Sequence, residues 1–76
     1  MFNLYVKLME ECGEVVQASS KVLKRGRGGV EEQQLAEEIG DVLAVLDLMR
    51  RKGAIDMRIV ERKQQATYEK YIHLEL

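Results

Sequence analysis

The stretch Leu35-Ala-Glu-Glu-Ile-Gly-Asp-Val-Leu-Ala-Val-Leu-Asp-Leu-Met49 decides the fold. Leu35, Ile39, Val42, Leu46 and Met49 recur at alternating steps of four and three, the period of an amphipathic helix. The segment is too long for an ordinary strand and carries no strand-like alternation. From Val42 to Met49 it is apolar on nearly every side, with Asp47 as the one acid inside it. A helix of that kind is expected to be buried on most of its faces.

Working outward, two glycine breaks bound this helix. Upstream lies the basic loop Arg25-Gly-Arg-Gly-Gly29; downstream Gly53 stands before Ala54-Ile55-Asp56, and the chain has no proline. The breaks leave three helical segments, roughly 2–25, 31–52 and 56–73, all rich in good helix formers. The first carries a seam of Tyr5, Leu8, Cys12, Val15, Ser19 and Val22. In the third, Ile55, Ile59, Val60, Ala66 and Tyr71 make only a thin stripe, and Asp56 is placed to cap its N-terminus. The expected fold is all-α, one domain over residues 1–76: an antiparallel helical hairpin plus a third, C-terminal helix. Three short helices cannot cover a second helix that is apolar all round. The surplus surface asks for another copy, as a dimer or tetramer, giving an oligomeric helical bundle.

Composition narrows the alternatives. The chain has 76 residues, formal net charge −1 and a pI near 5.8, with one cysteine and one histidine. A domain under about 80 residues seldom has a core worth more than a few kcal/mol. One cysteine makes no internal disulfide, and one histidine makes no zinc site of the usual Cys/His kind. Oligomerisation, or a metal held by oxygen ligands, remains. The near-neutral charge argues against a nucleic-acid polymer as partner. No apolar run approaches a membrane span, and Met1–Glu11, with acids by position 10, does not read as a signal peptide. A lone thiol without a targeting segment fits the cytoplasm.

The acids are the informative residues. Glu11 with Glu14, and Glu38 with Asp41, are i,i+3 pairs, each on one helix face beside its apolar seam. Counted from the turn near residue 28, Glu14 lies fourteen residues before and Asp41 thirteen after, so at about 1.5 Å per residue the pairs stand at similar heights in the hairpin. Acid pairs at helical spacing ordinarily form a solvated face matched to lysines four positions later. Here no such base follows: Gln17 and Ala18 come after the first pair, Val42 and Val45 after the second. Asp41 also opens the most apolar stretch of the chain. Four carboxylates at one level repel one another unless protonated or neutralised, and a hard divalent cation such as Mg²⁺ neutralises them with oxygen ligands.

Leu8-Met-Glu-Glu-Cys-Gly-Glu-Val-Val16 and Leu35-Ala-Glu-Glu-Ile-Gly-Asp-Val-Leu43 resemble the two signature segments of the MazG-like all-α nucleoside triphosphate pyrophosphohydrolases. The family pattern, Glu-x-x-Glu followed after a spacer by Glu-x-x-Asp, is met by Glu11, Glu14, Glu38 and Asp41. The likeness continues through Ser20-Lys-Val-Leu-Lys24 and the third segment. It implies a Mg²⁺-dependent enzyme, with Mn²⁺ as a possible substitute, that cleaves a (deoxy)nucleoside triphosphate between its α- and β-phosphates. Those four acids would be both metal ligands and catalytic residues. On the third helix a lysine and a tyrosine eight positions apart contact phosphates in the family, which Lys63 and Tyr71 match.

Lys21, seven residues from Glu14, and Lys70, seven from Lys63, are further phosphate-binding candidates by helical facing. Cys12 is expected in the core and His73 at the surface. The chain is also similar to phosphoribosyl-ATP pyrophosphatases, which share the reaction. A third possibility is a non-enzymatic helical oligomerisation or adaptor protein with solvated acid pairs. Only nine residues precede Glu10, fewer than in many relatives, so a base pocket would be shallow or completed by a partner subunit.

Overall fold

The computed structural model describes residues 3–76, so the first expected segment is followed from Asn3; Met1 and Phe2 lie outside the described residues. Three helices form: α1 (Leu4–Arg25), α2 (Val30–Arg51) and α3 (Met57–Tyr71). Each end has a local cause. The Asn3 side chain accepts a hydrogen bond from the Val6 N–H at 2.9 Å, and Asp56 accepts from the Arg58 N–H at 3.0 Å, the cap its sequence position predicts. Gly29 offers α2 no side-chain cap. Glu32, in its first turn, reaches back instead and accepts from the Gly28 N–H and from Arg27, both at 3.2 Å. After α2 the chain turns at Gly53, φ +73°, where the Ala54 N–H reaches the Met49 carbonyl at 2.9 Å and the Gly53 N–H reaches Arg50 at 3.0 Å. That paired arrangement closes a helix with a left-handed residue, which glycine adopts without a Cβ penalty.

α1 and α2 make the hairpin's one extensive interhelical contact. The seam is not the one the sequence suggests. On α1 the inward residues are Leu4, Leu8, Glu11, Val15, Ala18 and Val22; on α2 they are Leu35, Glu38, Val42, Val45, Leu46 and Met49. Tyr5, Cys12, Ser19 and Ile39, expected inside, are exposed. The cause is that α1 carries two apolar stripes, not one. Tyr5, Met9, Cys12, Val16 and Leu23 form the second, and the expected seam ran across both. At about 100° per residue the second stripe lies roughly a quarter-turn or more around α1 from the first.

α2 is likewise less covered than its composition predicts. Val45 and Met49 are buried, but Leu43 is 60% exposed, and Ile39 and Leu48 are exposed as well. The reason is α3, which has no buried residue and touches the hairpin only weakly. A groove of about 770 Å³ separates it from α2, lined mainly by apolar side chains such as Leu43, Leu46, Ile59, Val60 and Tyr68. The buried core among the described residues is Ala18, Val45 and Met49. The chain is a plate of 38 × 35 × 13 Å with a radius of gyration of 14.4 Å, against about 11 Å for a compact chain of this length.

Met49, 3% exposed, is the most buried of these side chains. Met49→Ala is expected to cost about 2–4 kcal/mol in urea unfolding, because few neighbours in so small a core can collapse into the cavity. A loss under about 0.5 kcal/mol, the range of ordinary surface changes, would contradict this packing.

Candidate metal centre

The hairpin brings the four acids together. One carboxylate oxygen from each of Glu11, Glu14, Glu38 and Asp41 lies within 4.8 Å of the other three. The matching heights of the two pairs about the glycine loop account for this, as the residue count from the turn anticipates. One detail differs: the pairs do not simply flank the seam. Glu11 and Glu38 occupy seam positions and are half-buried, while Glu14 and Asp41 stand at the exposed edge. The Glu11 side chain keeps only 13% of its exposure.

Glu11 Oε2 and Glu38 Oε2 are buried and have no hydrogen-bond partner. A buried acceptor in that state costs free energy, more so when charged. The electrostatics agree. Burial pushes the Glu11 carboxyl above the ordinary glutamate value, and the charges of Glu14 and Asp41 push the same way. Glu14 is raised chiefly by the hydrogen bond its protonated form makes to Glu38, then by the charge on Glu38. Ionised carboxylates only accept hydrogen bonds, so that bond exists only while a proton is shared. A group of oxygens this close, short of donors and of positive charge, fits a hard divalent cation: the donor set is all oxygen and two buried atoms await a partner.

The basic residues lie as follows. Lys7 is the cation at the cluster: its ammonium lies 3.1 Å from Glu10 Oε2 and 3.9 Å from Glu11 Oε1. The sequence reading sought bases after each acid and overlooked this one, four residues before Glu11, where the same helical spacing would have found it. Lys21 and Lys70 are exposed, and Lys70 Nζ sits 5.2 Å from the centre of the Tyr71 ring. Lys63 lines the groove between α2 and α3, to which none of the four acids contributes. Among the described ion pairs none involves Lys21, Lys63 or Lys70. Cys12 is exposed rather than in the core, because it belongs to the second stripe of α1; His73 is exposed as expected.

The pKa directions carry a pH dependence. Glu11 and Glu14 hold protons more tightly folded than unfolded, so their contribution is full below the ordinary glutamate value and is lost as pH rises through the raised values. Asp47 and Asp56 shift downward, held by hydrogen bonds from Arg50 and Arg58 respectively, and their contribution is lost only as pH falls through the acid range below. In chelator, the protein is therefore expected to melt at a higher temperature near pH 5 than near pH 7.5. A melting temperature that is flat or rises over that interval would show that the cluster does not strain the fold.

The family model of the MazG nucleotide pyrophosphohydrolase domain matches residues 3–74, nearly the whole chain. No curated protein and no solved structure gives a match. The match takes in both acid-bearing helices and α3, so the resemblance carried by the two acid motifs extends along the sequence of all three helices. The chain belongs to the MazG nucleotide pyrophosphohydrolase domain family.

Proposed function

We propose that this chain, a single domain over residues 1–76, is a Mg²⁺-dependent nucleotide pyrophosphohydrolase. It cleaves a (deoxy)nucleoside triphosphate between the α- and β-phosphates. The observation that carries the reading is the cluster of four acids with two buried, partnerless oxygens, Glu11 Oε2 and Glu38 Oε2. Glu11, Glu14, Glu38 and Asp41 would hold the cation, and Mn²⁺ is the natural substitute for an all-oxygen donor set. When bound, the cation supplies charge neutralisation at the α-phosphate and a more acidic attacking water. Water adds to the α-phosphorus, the bond to the bridging oxygen breaks, and monophosphate and pyrophosphate leave. No side chain needs to become covalently attached, in keeping with an exposed Cys12 and a His73 beyond the end of α3.

The chain's own residues divide the work. Glu11 and Glu38, fixed in the seam, set where the cation sits; Glu14 and Asp41, at the exposed edge, are accessible to substrate and water. Lys21, Lys63, Lys70 and Tyr71 are assigned to the phosphates. Since Lys63 lines a groove to which none of the four clustered acids contributes, its contact calls for a second copy or a movement of α3.

Self-association belongs to the same reading. The chain is an open plate, and Met9 (68% exposed) and Val16 (69%) project from α1 while Leu43 projects from α2. Each such side chain is worth about 1.5–3 kcal/mol if removed from water. A second copy placed on these residues supplies the core that one chain lacks.

With Mg²⁺ and a panel of common and modified triphosphates, the protein is expected to release pyrophosphate from at least one. Glu38→Gln or Asp41→Asn should reduce turnover by about a thousandfold or more, since either change weakens the site on which charge neutralisation depends. Monophosphate and orthophosphate as products, or turnover unaffected by both substitutions, would refute the assignment. Turnover of phosphoribosyl-ATP alone would select that substrate within the same chemistry.

Val16→Glu combined with Leu43→Glu is expected to convert an associated species into a monomer in light scattering. An unchanged mass would place the contact elsewhere.

A further inference from the structure

The geometry points to Lys7 as a positioning residue for the metal centre: its ammonium, within ion-pair reach of one Glu11 oxygen, biases that carboxylate so that the other oxygen is presented to the cation. The inference rests on the metal-binding reading of the four acids. Lys7 Nζ lies 3.9 Å from Glu11 Oε1 and is anchored at 3.1 Å by Glu10 Oε2, one residue earlier. The other oxygen of the same carboxylate, Oε2, is the buried one without a hydrogen-bond partner. The two oxygens of Glu11 thus differ: Oε1 lies within ion-pair reach of the ammonium, and Oε2 is buried without a partner. Among the described ion pairs, Lys7 is the only base that reaches any of the four acids.

Helix geometry brings the groups together. Lys7 and Glu11 are i,i+4 on α1 and Lys7 and Glu10 are i,i+3, so the ammonium is placed over both acids by the backbone itself. Glu10 is exposed and outside the group of four, and its part is to keep the ammonium at the rim. Groups that fix a ligand's orientation from outside the coordination sphere commonly govern metal affinity by about 10- to 100-fold.

Two effects of this lysine oppose one another, which makes the inference decidable. As a bare positive charge, it repels an incoming cation, and its removal should tighten metal binding. As a positioning group, it orders Glu11, and its removal should loosen metal binding. The half-buried state of Glu11 favours the second, because the carboxylate turned wrongly in the seam would face apolar neighbours rather than the cation.

The test is titration of the full chain with Mn²⁺, read by the paramagnetic signal of the free ion, for wild type, Lys7→Met and Lys7→Arg. Lys7→Met is expected to weaken Mn²⁺ binding by about tenfold or more, and Lys7→Arg to stay within about threefold of wild type. Far-UV circular dichroism in chelator checks that each variant is helical, and Lys7→Gln replaces Lys7→Met should the latter not fold. Equal or tighter binding by Lys7→Met overturns the positioning role and leaves the metal centre standing. Absence of Mn²⁺ binding by wild type overturns both.

Discussion

Glu11 and Glu38 face each other across a seam that every other inward residue makes apolar. The structure depends on how that placement is tolerated. Two ionised carboxylates, joined by two more at the exposed edge, oppose the packing of the helices that carry them. The hairpin forms because Leu8, Val15, Ala18 and Val22 on one side, and Leu35, Val42, Val45 and Met49 on the other, run above and below the acids. Those contacts hold the acids close together, and the crowding raises the proton affinity of Glu14, chiefly through Glu38. In the proposed reading a bound cation would relieve that crowding, so that stability and function become two aspects of one electrostatic problem.

The rest of the fold keeps those two helices in register. Arg25–Glu31 and Arg27–Glu32 pairs brace the glycine loop that joins α1 to α2, at 3.6 and 3.2 Å. Exposed pairs of this kind contribute little energy individually. Their value is geometric, because a slip of one residue between α1 and α2 would separate Glu11 from Glu38. Acids in the first turn of α2 and bases in its last also complement the helix dipole.

Helix number, breaks and caps were legible in the sequence because their causes are local: Gly26, Gly28 and Gly53 adopt positive φ, and Asp56 caps α3. The meeting of the four acids was legible too, since it follows from counting residues on either side of a turn. The seam was less so. On α1 the apolar residues make two stripes, and period alone does not say which one the neighbouring helix covers. Charge misleads as well: the stripe containing Glu11 is the inner one, against the ordinary rule that acids lie outside. Lys7 escaped notice for a smaller reason, as it precedes its acid instead of following it. The placement of α3 was not legible, because Ile59, Val60, Tyr68 and Tyr71 remain exposed and so fix no packing partner within the chain.

The two stripes also separate the chain's two deficits. On α1, about 100° per residue puts Glu14 to one side of the seam and Tyr5, Met9, Cys12 and Val16 to the other. The same count on α2 puts Asp41 and Leu43 on opposite sides of its seam. In an antiparallel hairpin these flanks coincide, so one broad face of the plate is acidic and the other apolar. Covering the apolar face therefore does nothing for the crowded carboxylates, and neutralising them adds nothing to the core. In the proposed reading two different partners are needed, a cation on one face and a second copy on the other. Lys63 lines the groove with Leu43, and none of the four clustered acids lines it. Assembly is then the step that turns a metal-binding hairpin into a site with cations for the phosphates as well.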